Sequence, residues 1–236
     1  MSELKRLLRE RIVILDGAMG TQLQALDLSA ADFGGPALEG CNENLVLTRP
    51  DAIARIHDAY FEAGADIVES NSFGAVRHVL AEYGLEDKTL EIAQASGRLA
   101  AESARRHSTP ERPRFAAGAL GPGTKTISVT GGITFDEVRR HYAEAARGLM
   151  EGGVDLLLLE TQQDTLNIKA SMLGFADAFV THLAKGRAMY GCQFTGTRYD
   201  CGNKLGFLKA QVELGLKHPE TGADFKRYLK QTCKGL

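Results

Sequence analysis

Short apolar runs alternate with amphipathic stretches over the first 170 residues of the chain. Each run is short, is rich in β-branched residues or leucine, and ends in glycine, proline or polar residues, which is typical of a buried strand. The stretches between them repeat apolar positions every three or four residues, as amphipathic helices do. This alternation predicts an α/β protein with four β/α units around a parallel sheet. The predicted strands are Arg11–Leu15, Ala65–Ser70, Arg114–Pro122 and Val154–Glu160.

Two of the predicted helices carry end signals. The stretch "RPDAIARIHDAYFEAG" places Pro50 in a first helical turn and Gly64 just past the last turn, where each residue is favoured. The stretch "TFDEVRRHYAEAARGLMEGG" spaces Thr134 and Glu137 as a capping box. These signals predict where both helices begin and where the first one ends.

The pattern of apolar and polar residues changes near Ser171. The segment "AMYGCQFTGTRYDCG" predicts a hairpin or a pair of edge strands, and "NKLGFLKAQVELGLKH" and "GADFKRYLKQT" predict two amphipathic helices. Residues 1–170 carry a net negative charge and residues 171–236 a net positive one, which is a sign of separate modules. We therefore expect a first domain over residues 1–170 and a small α+β segment over residues 171–236.

Composition narrows the class of protein. The 236 residues are 44% hydrophobic and 25% charged, with a net charge of −2, so neither nucleic acid nor an anionic membrane is an expected partner. No apolar run approaches the roughly 20 residues of a membrane span, and the start lacks the features of a secretion signal. The four cysteines form no CxxC pair. These features predict a reduced, cytoplasmic protein.

Polar residues follow each predicted strand. They are Asp16, the group Glu69-Ser70-Asn71, Gly121, and the pair Glu160-Thr161. Because the carboxyl ends of parallel strands meet on one side of the sheet, these residues are expected around one ligand-binding mouth. The pattern alone predicts an active-site rim without naming its chemistry.

Four motifs carry a resemblance to a known family. They are "ILDGAMGTQLQ" at Ile14–Gln24, "GCNENL" at Gly40–Leu45, "ADIVESNSFG" at Ala65–Gly74 and "DLLLLETQQDTLNIKA" at Asp155–Ala170. In this order they resemble the homocysteine-binding domain of cobalamin-dependent methionine synthase and its relatives. The resemblance implies a TIM barrel, of which residues 1–170 would form the first half, and homocysteine as the small-molecule substrate.

The resemblance also implies substrate-binding residues. Asp16 and Glu160 would hold the homocysteine amino group by charge-assisted hydrogen bonds, Gly17 would let the ligand approach the backbone, and Asn71 would orient it. A structural interpretation stands beside this one, in which Asp16 and Asn71 cap loops and Glu160 pairs with an arginine.

The family's catalytic metal is a zinc ion held by three cysteines, which keeps the homocysteine thiol as a thiolate. The segments that carry those cysteines do not occur in this sequence, and Cys41 inside "GCNEN" is not at a ligand position. We therefore expect no catalytic residue and no bound zinc in this chain, and no methyl transfer by it alone. By the same resemblance, cobalamin and methyltetrahydrofolate belong to domains absent from it.

The last 60 residues resemble a second family. The stretch "YDCGNKLGFLKAQVELGLKHPETGADFKRYLK" is similar to the end of bacterial UTP–glucose-1-phosphate uridylyltransferases. That resemblance implies a magnesium-binding role for Asp200 and leaves Lys204 as a sugar-phosphate contact or a solvated charge. It predicts a chimeric chain joined near residues 170–176.

Three hypotheses follow from the two resemblances. The first is a homocysteine S-methyltransferase fragment, and the second is a non-catalytic engineered or recombined scaffold. The third, weaker one is a uridylyltransferase fragment. A half-barrel leaves strand edges and apolar side chains open to water. Either the strands and helices of the C-terminal segment cover them, or two copies pair as a homodimer.

Overall fold

The computed structural model describes residues 3–129, 131–185 and 204–233. By its internal contacts the chain divides into two units, residues 1–190 and 191–236, and the first is an α/β unit of helices around a small parallel sheet. Its strands are β1 (Ile67–Glu69), β2 (Phe115–Leu120) and β3 (Leu156–Leu159). Its helices are α1 (Glu3–Glu10), α2 (Met19–Gln24), α3 (Leu45–Thr48), α4 (Pro50–Ala63), α5 (Arg77–Leu80), α6 (Thr89–His107), α7 (Phe135–Gly152) and α8 (Thr165–Ala184).

The sheet runs in the order β1-β2-β3, with every pair parallel. Three of the four predicted strands are thus confirmed. The prediction of a strand over Arg11–Leu15 is wrong in its extent, because only Leu15 forms a bridge, to Ile67. The reason is a contact between distant residues: the N–H of Ile14 donates to the Asp66 carboxylate at 2.9 Å, not to a strand carbonyl. The segment still lies beside β1 and directs Asp16 towards the carboxyl ends of the strands.

Asp66 also gathers two arginines at the amino end of β1. Arg11 forms a two-pronged ion pair with its carboxylate at 2.6 and 2.8 Å, and Arg114 reaches the same group at 3.3 Å. The side chains of Asp66 and Arg114 are 2% and 4% exposed. These charge-assisted bonds fix the first segment against β1 and β2.

Helix ends follow the sequence signals. Pro50 is the first residue of α4, and Gly64 ends it with a φ of 117°, a conformation that glycine adopts without strain. Thr134 caps α7 by accepting the N–H of Glu137 at 3.2 Å, while the Glu137 carboxylate accepts the N–H of Thr134 at 2.8 Å. Both predictions are confirmed.

The stretch "AVRHVLAEYG" forms less helix than its pattern predicts. Only α5 is α-helical; a 3₁₀ turn follows over Ala81–Tyr83, and Gly84 stops it with a φ of 68°. The backbone then re-enters helix at α6. Because the helix ends early, the chain can pass from the sheet to the start of α6.

Helices α6 and α7 touch through glycine. A Cβ added to Gly97 would lie 2.8 Å from the carbonyl oxygen of Leu149, and one added to Gly152 would lie 2.5 Å from that of Gln94. Side chains at these positions would force the two backbones apart. The glycines therefore set the close approach of the two longest helices that cover β2.

Alternate residues of the strands face two different cores. Val68 and Ala116 pack with α4 and α6, whereas Ile67, Phe115 and Ala117 pack with Leu7 of α1 on the other face. The run Leu156–Leu159 is apolar without alternation, which predicts core residues on a strand covered on both faces; this prediction is wrong, because all four leucines are only half-buried. In the described sheet β3 has a neighbour on one side only, which leaves its side chains partly open.

The second unit is described over residues 204–233. It holds α9 (Lys204–Lys217) and α10 (Gly222–Thr232), which confirms both helices predicted there. The predicted hairpin, with Cys192, Asp200 and Cys201, lies outside the described residues. The domain boundary expected at residue 170 falls inside α8, and the division by contacts lies at residues 190–191.

In the described ranges no helix combines the length and the apolar character needed to cross a membrane.

Candidate active site

A cavity of about 490 Å³ opens at the carboxyl ends of the strands. All four predicted site residues line it, namely Asp16, Gly17, Asn71 and Glu160. Its lining also includes Glu43 and Glu69, and no lysine, arginine or histidine among the described residues lines it. The sequence placed polar residues around one mouth, and the structure brings them to one cavity of strongly acidic character.

Asp16 is held by the backbone of β1. Its own N–H donates to the carbonyl of Ile67 at 3.0 Å, and its two carboxylate oxygens each lie 3.1 Å from the N–H of Glu69. Burial raises the pKa of Asp16 to about 7, and the charges of Glu69 and Glu160 add to the shift, while the N–H of Glu69 opposes it. Near neutral pH the site therefore binds a proton that an exposed aspartate would release.

Glu160 stands at the end of β3. Its N–H donates to the carbonyl of Leu120 at 3.1 Å, which continues the ladder by one residue. Burial raises the pKa of its carboxyl group, and the hydroxyl of Thr161 donates to it at 3.4 Å. In the described part of the chain no arginine pairs with Glu160, so the structural interpretation of this residue has no support there.

Asn71 uses its side chain within the protein. The amide Nδ2 donates to the carbonyl of Asn42 at 2.7 Å, and the residue is 6% exposed. This bond ties the segment around "GCNENL" to the end of β1. Asn71 thus shapes the wall of the cavity.

Gly17 lies against a neighbouring aromatic ring that leaves little room for a side chain. A Cβ at this position would lie 3.0 Å from Oη of Tyr60, and the Tyr60 hydroxyl donates to the carbonyl of Ala18 at 3.3 Å. The absence of a side chain therefore serves the packing of α4 as well as leaving backbone open to the cavity.

Glu43 was missed as a site residue, and Glu69, which was expected on the rim of the mouth, was not assigned to substrate binding. Glu43 Oε1 accepts the N–H of Gly74 at 2.8 Å, and burial raises the pKa of the carboxyl group. Burial likewise raises the pKa of Glu69 to about 7, with the charge of Glu160 adding to it. The alternation of β1 could have indicated Glu69, because it shares a face with Ile67, which is buried inside.

The described residues do not fit a zinc ion held by thiolates. Cys41 is buried and does not line the cavity, and burial raises the pKa of its thiol to about 11. Cys233 is exposed on the second unit. Within the described ranges no group of three or more His, Cys, Asp and Glu side chains could hold a metal ion. The cavity offers carboxylate oxygens, which suit an ammonium group.

The sequence predicts each histidine as a surface or helix-face residue, and two of them lie on helix faces that are buried. His57 is 0% and His78 is 6% exposed. Helix periodicity places a residue on a face but does not show what covers that face. His57 lies on the inner face of α4, and His78, a residue of α5, stacks on His141 of α7.

Comparison with known proteins gives the family. The family model described as "Homocysteine S-methyltransferase" matches residues 13–206. The chain is 45% identical over 173 residues to a methionine synthase of Mycobacterium tuberculosis, which covers 73% of this chain and 14% of that protein. It is 38% identical over 242 residues to a methionine synthase of Mycobacterium leprae, covering 99% of this chain and 20% of that protein. The chain thus spans a fifth or less of these relatives' length.

Solved structures give the same fold. The oxidised form of the homocysteine methyltransferase MmuM from Escherichia coli has a TM-score of 0.60 at 23% identity, covering 75% of this chain and 64% of that one. Its metallated form also has a TM-score of 0.60, at 22% identity, covering 77% and 64%. The chain shares the α/β fold of these structures.

The matches bear on the predicted junction. The family model continues to residue 206, past the join expected near residues 170–176, and the Mycobacterium leprae alignment covers nearly the whole chain. They give no support to a uridylyltransferase tail or to a chimeric origin. The match over residues 13–206 shows that this chain belongs to the homocysteine S-methyltransferase family.

Proposed function

We propose that this chain is a homocysteine-binding domain of methionine synthase type. The observation that carries the proposal is the cavity of about 490 Å³ at the strand ends, lined by Asp16 and Glu160 and by no cationic side chain in the described residues. An amino-acid ammonium supplies the positive charge that such a cavity lacks.

In this proposal Asp16 and Glu160 accept hydrogen bonds from the substrate ammonium. Gly17 exposes backbone to the substrate, and Asn71 holds the wall of the cavity in place through Asn42. Among the described residues no cysteine thiolates hold a metal that could bind the thiol of homocysteine. We therefore expect weak binding, and no methyl transfer by this chain alone.

We further propose that residues 1–170 form half of a TIM barrel. Support comes from three parallel strands in chain order and from the bridge of Leu15 to Ile67, which stands where a first barrel strand would. A half-barrel leaves apolar surface uncovered, and we propose that two copies pair. The assignment of residues 171–236 to a separate domain and the cytoplasmic location also remain proposals.

Calorimetry with L-homocysteine tests the site. Asp16→Asn and Glu160→Gln are each expected to lower the affinity about tenfold, or about 1.4 kcal/mol, because each removes one charged acceptor. Glu62→Gln, on the exposed face of α4, is the matched control and should leave binding unchanged. Affinity that survives both cavity substitutions would rule out this site.

Turnover tests the second part of the proposal. The chain is incubated with homocysteine, methylcobalamin and zinc, and methionine is measured against a protein-free control. We expect no rate above the control. A higher rate would show that the chain completes the reaction itself.

A further inference from the structure

The carboxylates of the cavity differ in what binds them. Asp16 accepts the N–H of Glu69, Glu43 accepts the N–H of Gly74, and Glu160 accepts the hydroxyl of Thr161. The side chain of Glu69 has no hydrogen-bond or ion-pair partner in the described part of the chain. Glu69 is therefore the cavity carboxylate whose oxygens are all available to a ligand.

The carboxylate of Glu69 lies between the other acidic groups of the cavity. Glu69 shares its strand face with Ile67 and pairs in register with Ala117 of β2. Asp16 stands on one side of it, bonded to its N–H, and Glu160 of the β3 end raises its pKa by charge. Glu43 faces the same cavity from the segment that precedes α3. Among the described residues, the charged groups that line the cavity with Glu69 are thus all acidic.

We propose that Glu69 is an additional amine-binding carboxylate of this cavity, and that binding of an amino-acid ammonium there expels a proton from the carboxylates. The inference deepens the proposed function and rests on it. It assigns a role to a residue that the family motif left unassigned, and it makes binding depend on pH.

The proton balance is simple. Burial and the charge of Glu160 raise the pKa of both Asp16 and Glu69 to about 7, and the charge of Glu69 adds to the shift of Asp16. At pH 7 the two groups together therefore hold about one proton. An incoming ammonium keeps its own three protons and favours both carboxylates in ionised form. About one proton therefore passes from the site to the buffer for each ligand bound, and no bond other than hydrogen bonds changes.

Calorimetry in two buffers measures this release. Homocysteine is titrated at pH 7 in phosphate and in Tris, which differ widely in ionisation enthalpy, and the difference in observed heat gives the protons released. We expect about one proton for the unmodified chain and for Glu62→Gln, and about half or less for Glu69→Gln. The amine-free analogue 4-mercaptobutyrate should release none.

Carboxyl ¹³C NMR separates this inference from the proposed function. The Glu69 signal, assigned by its loss in Glu69→Gln, is followed at pH 7 as homocysteine or methylammonium is added, and it should move to the ionised position with either. Response to methylammonium without any homocysteine binding would overturn the proposed function and keep the inference. A Glu69 signal that neither compound moves, or an unchanged proton release in Glu69→Gln, would overturn the inference.

Discussion

The Nδ1 atoms of His78 and His141 lie 3.2 Å apart and join α5 to α7. A hydrogen bond at this distance needs one protonated and one free Nδ1, so the accepting ring must be neutral and the bond is lost when both rings are protonated. Burial lowers the pKa of His78 to about 4, with His141 and Lys125 adding to the shift. Burial also lowers the pKa of His141, with Arg77 and Arg140 adding and Glu137 opposing.

This pair predicts a loss of stability in acid. A histidine whose folded pKa is lowered stabilises the fold above its unfolded pKa of about 6.5, and the contribution is lost as the pH falls from there towards 4. His141→Gln should therefore lower the free energy of unfolding less at pH 5 than at pH 7. Urea unfolding at both pH values measures the difference.

The control for the histidine pair is His218→Gln, a change at an exposed residue of the second unit. Asp16 and Glu69 act in the opposite sense, since their raised pKa values remove stability as the pH rises to about 7. Their effect is common to all the variants and cancels in the comparison. A cost of His141→Gln that does not depend on pH would contradict the prediction.

Asp66→Asn should cost about 3–5 kcal/mol of unfolding free energy, because it leaves the buried Arg114 without its counter-charge. Asp51→Asn is the matched control. Asp51 pairs with Arg49 and Arg55 at the surface, and such pairs contribute about 0–1 kcal/mol. Equal urea midpoints for the two variants would show that the charge of Asp66 is dispensable.

Gly152→Ala should cost about 1–3 kcal/mol by overpacking, since the new Cβ would lie 2.5 Å from the carbonyl oxygen of Gln94. Gly20→Ala is the control, because a Cβ there meets nothing within 4 Å and alanine favours helix α2. Thermal unfolding should place the first variant below the parent chain and the second at or above it. A Gly152→Ala variant as stable as the parent would show that α6 and α7 can separate without cost.

The uncovered face of α8 predicts a homodimer. Met172, Val180 and Leu183 are 61%, 66% and 51% exposed, and helical spacing places them on one side. Light scattering at micromolar concentration should give twice the mass of the chain. Val180→Glu should reduce it to the monomer mass, whereas Thr181→Glu, about 100° further around the helix and on its other side from Met172, should not. A monomeric parent chain with cooperative unfolding would refute the dimer.

The strands and the long helices could be read from the sequence because their signals are local. Periodicity located β1, β2 and β3, and Pro50 and Thr134 marked helix starts. The shortened first strand could not be read, because its cause is a bond from Ile14 to Asp66 that exists only after folding.

The same distinction holds for the site. Asp16 and Glu160 follow apolar runs, so their place at the strand ends was predictable. Glu43 lies in a segment without periodicity and reaches the cavity through contacts such as the bond of Asn71 to Asn42. The burial of His57 and His78 likewise depends on which helices pack together. The sequence of one segment does not show this packing.

The cavity draws its carboxylates from residues 16, 43, 69 and 160, so it exists only when distant segments of the first unit are assembled. A ligand that binds there binds the folded state alone. Homocysteine at 100 times its Kd should then raise the free energy of unfolding by about 2.7 kcal/mol. By the same linkage, a substitution far from the cavity that populates the unfolded chain will weaken the apparent affinity for the ligand, and added ligand will slow proteolysis of the chain.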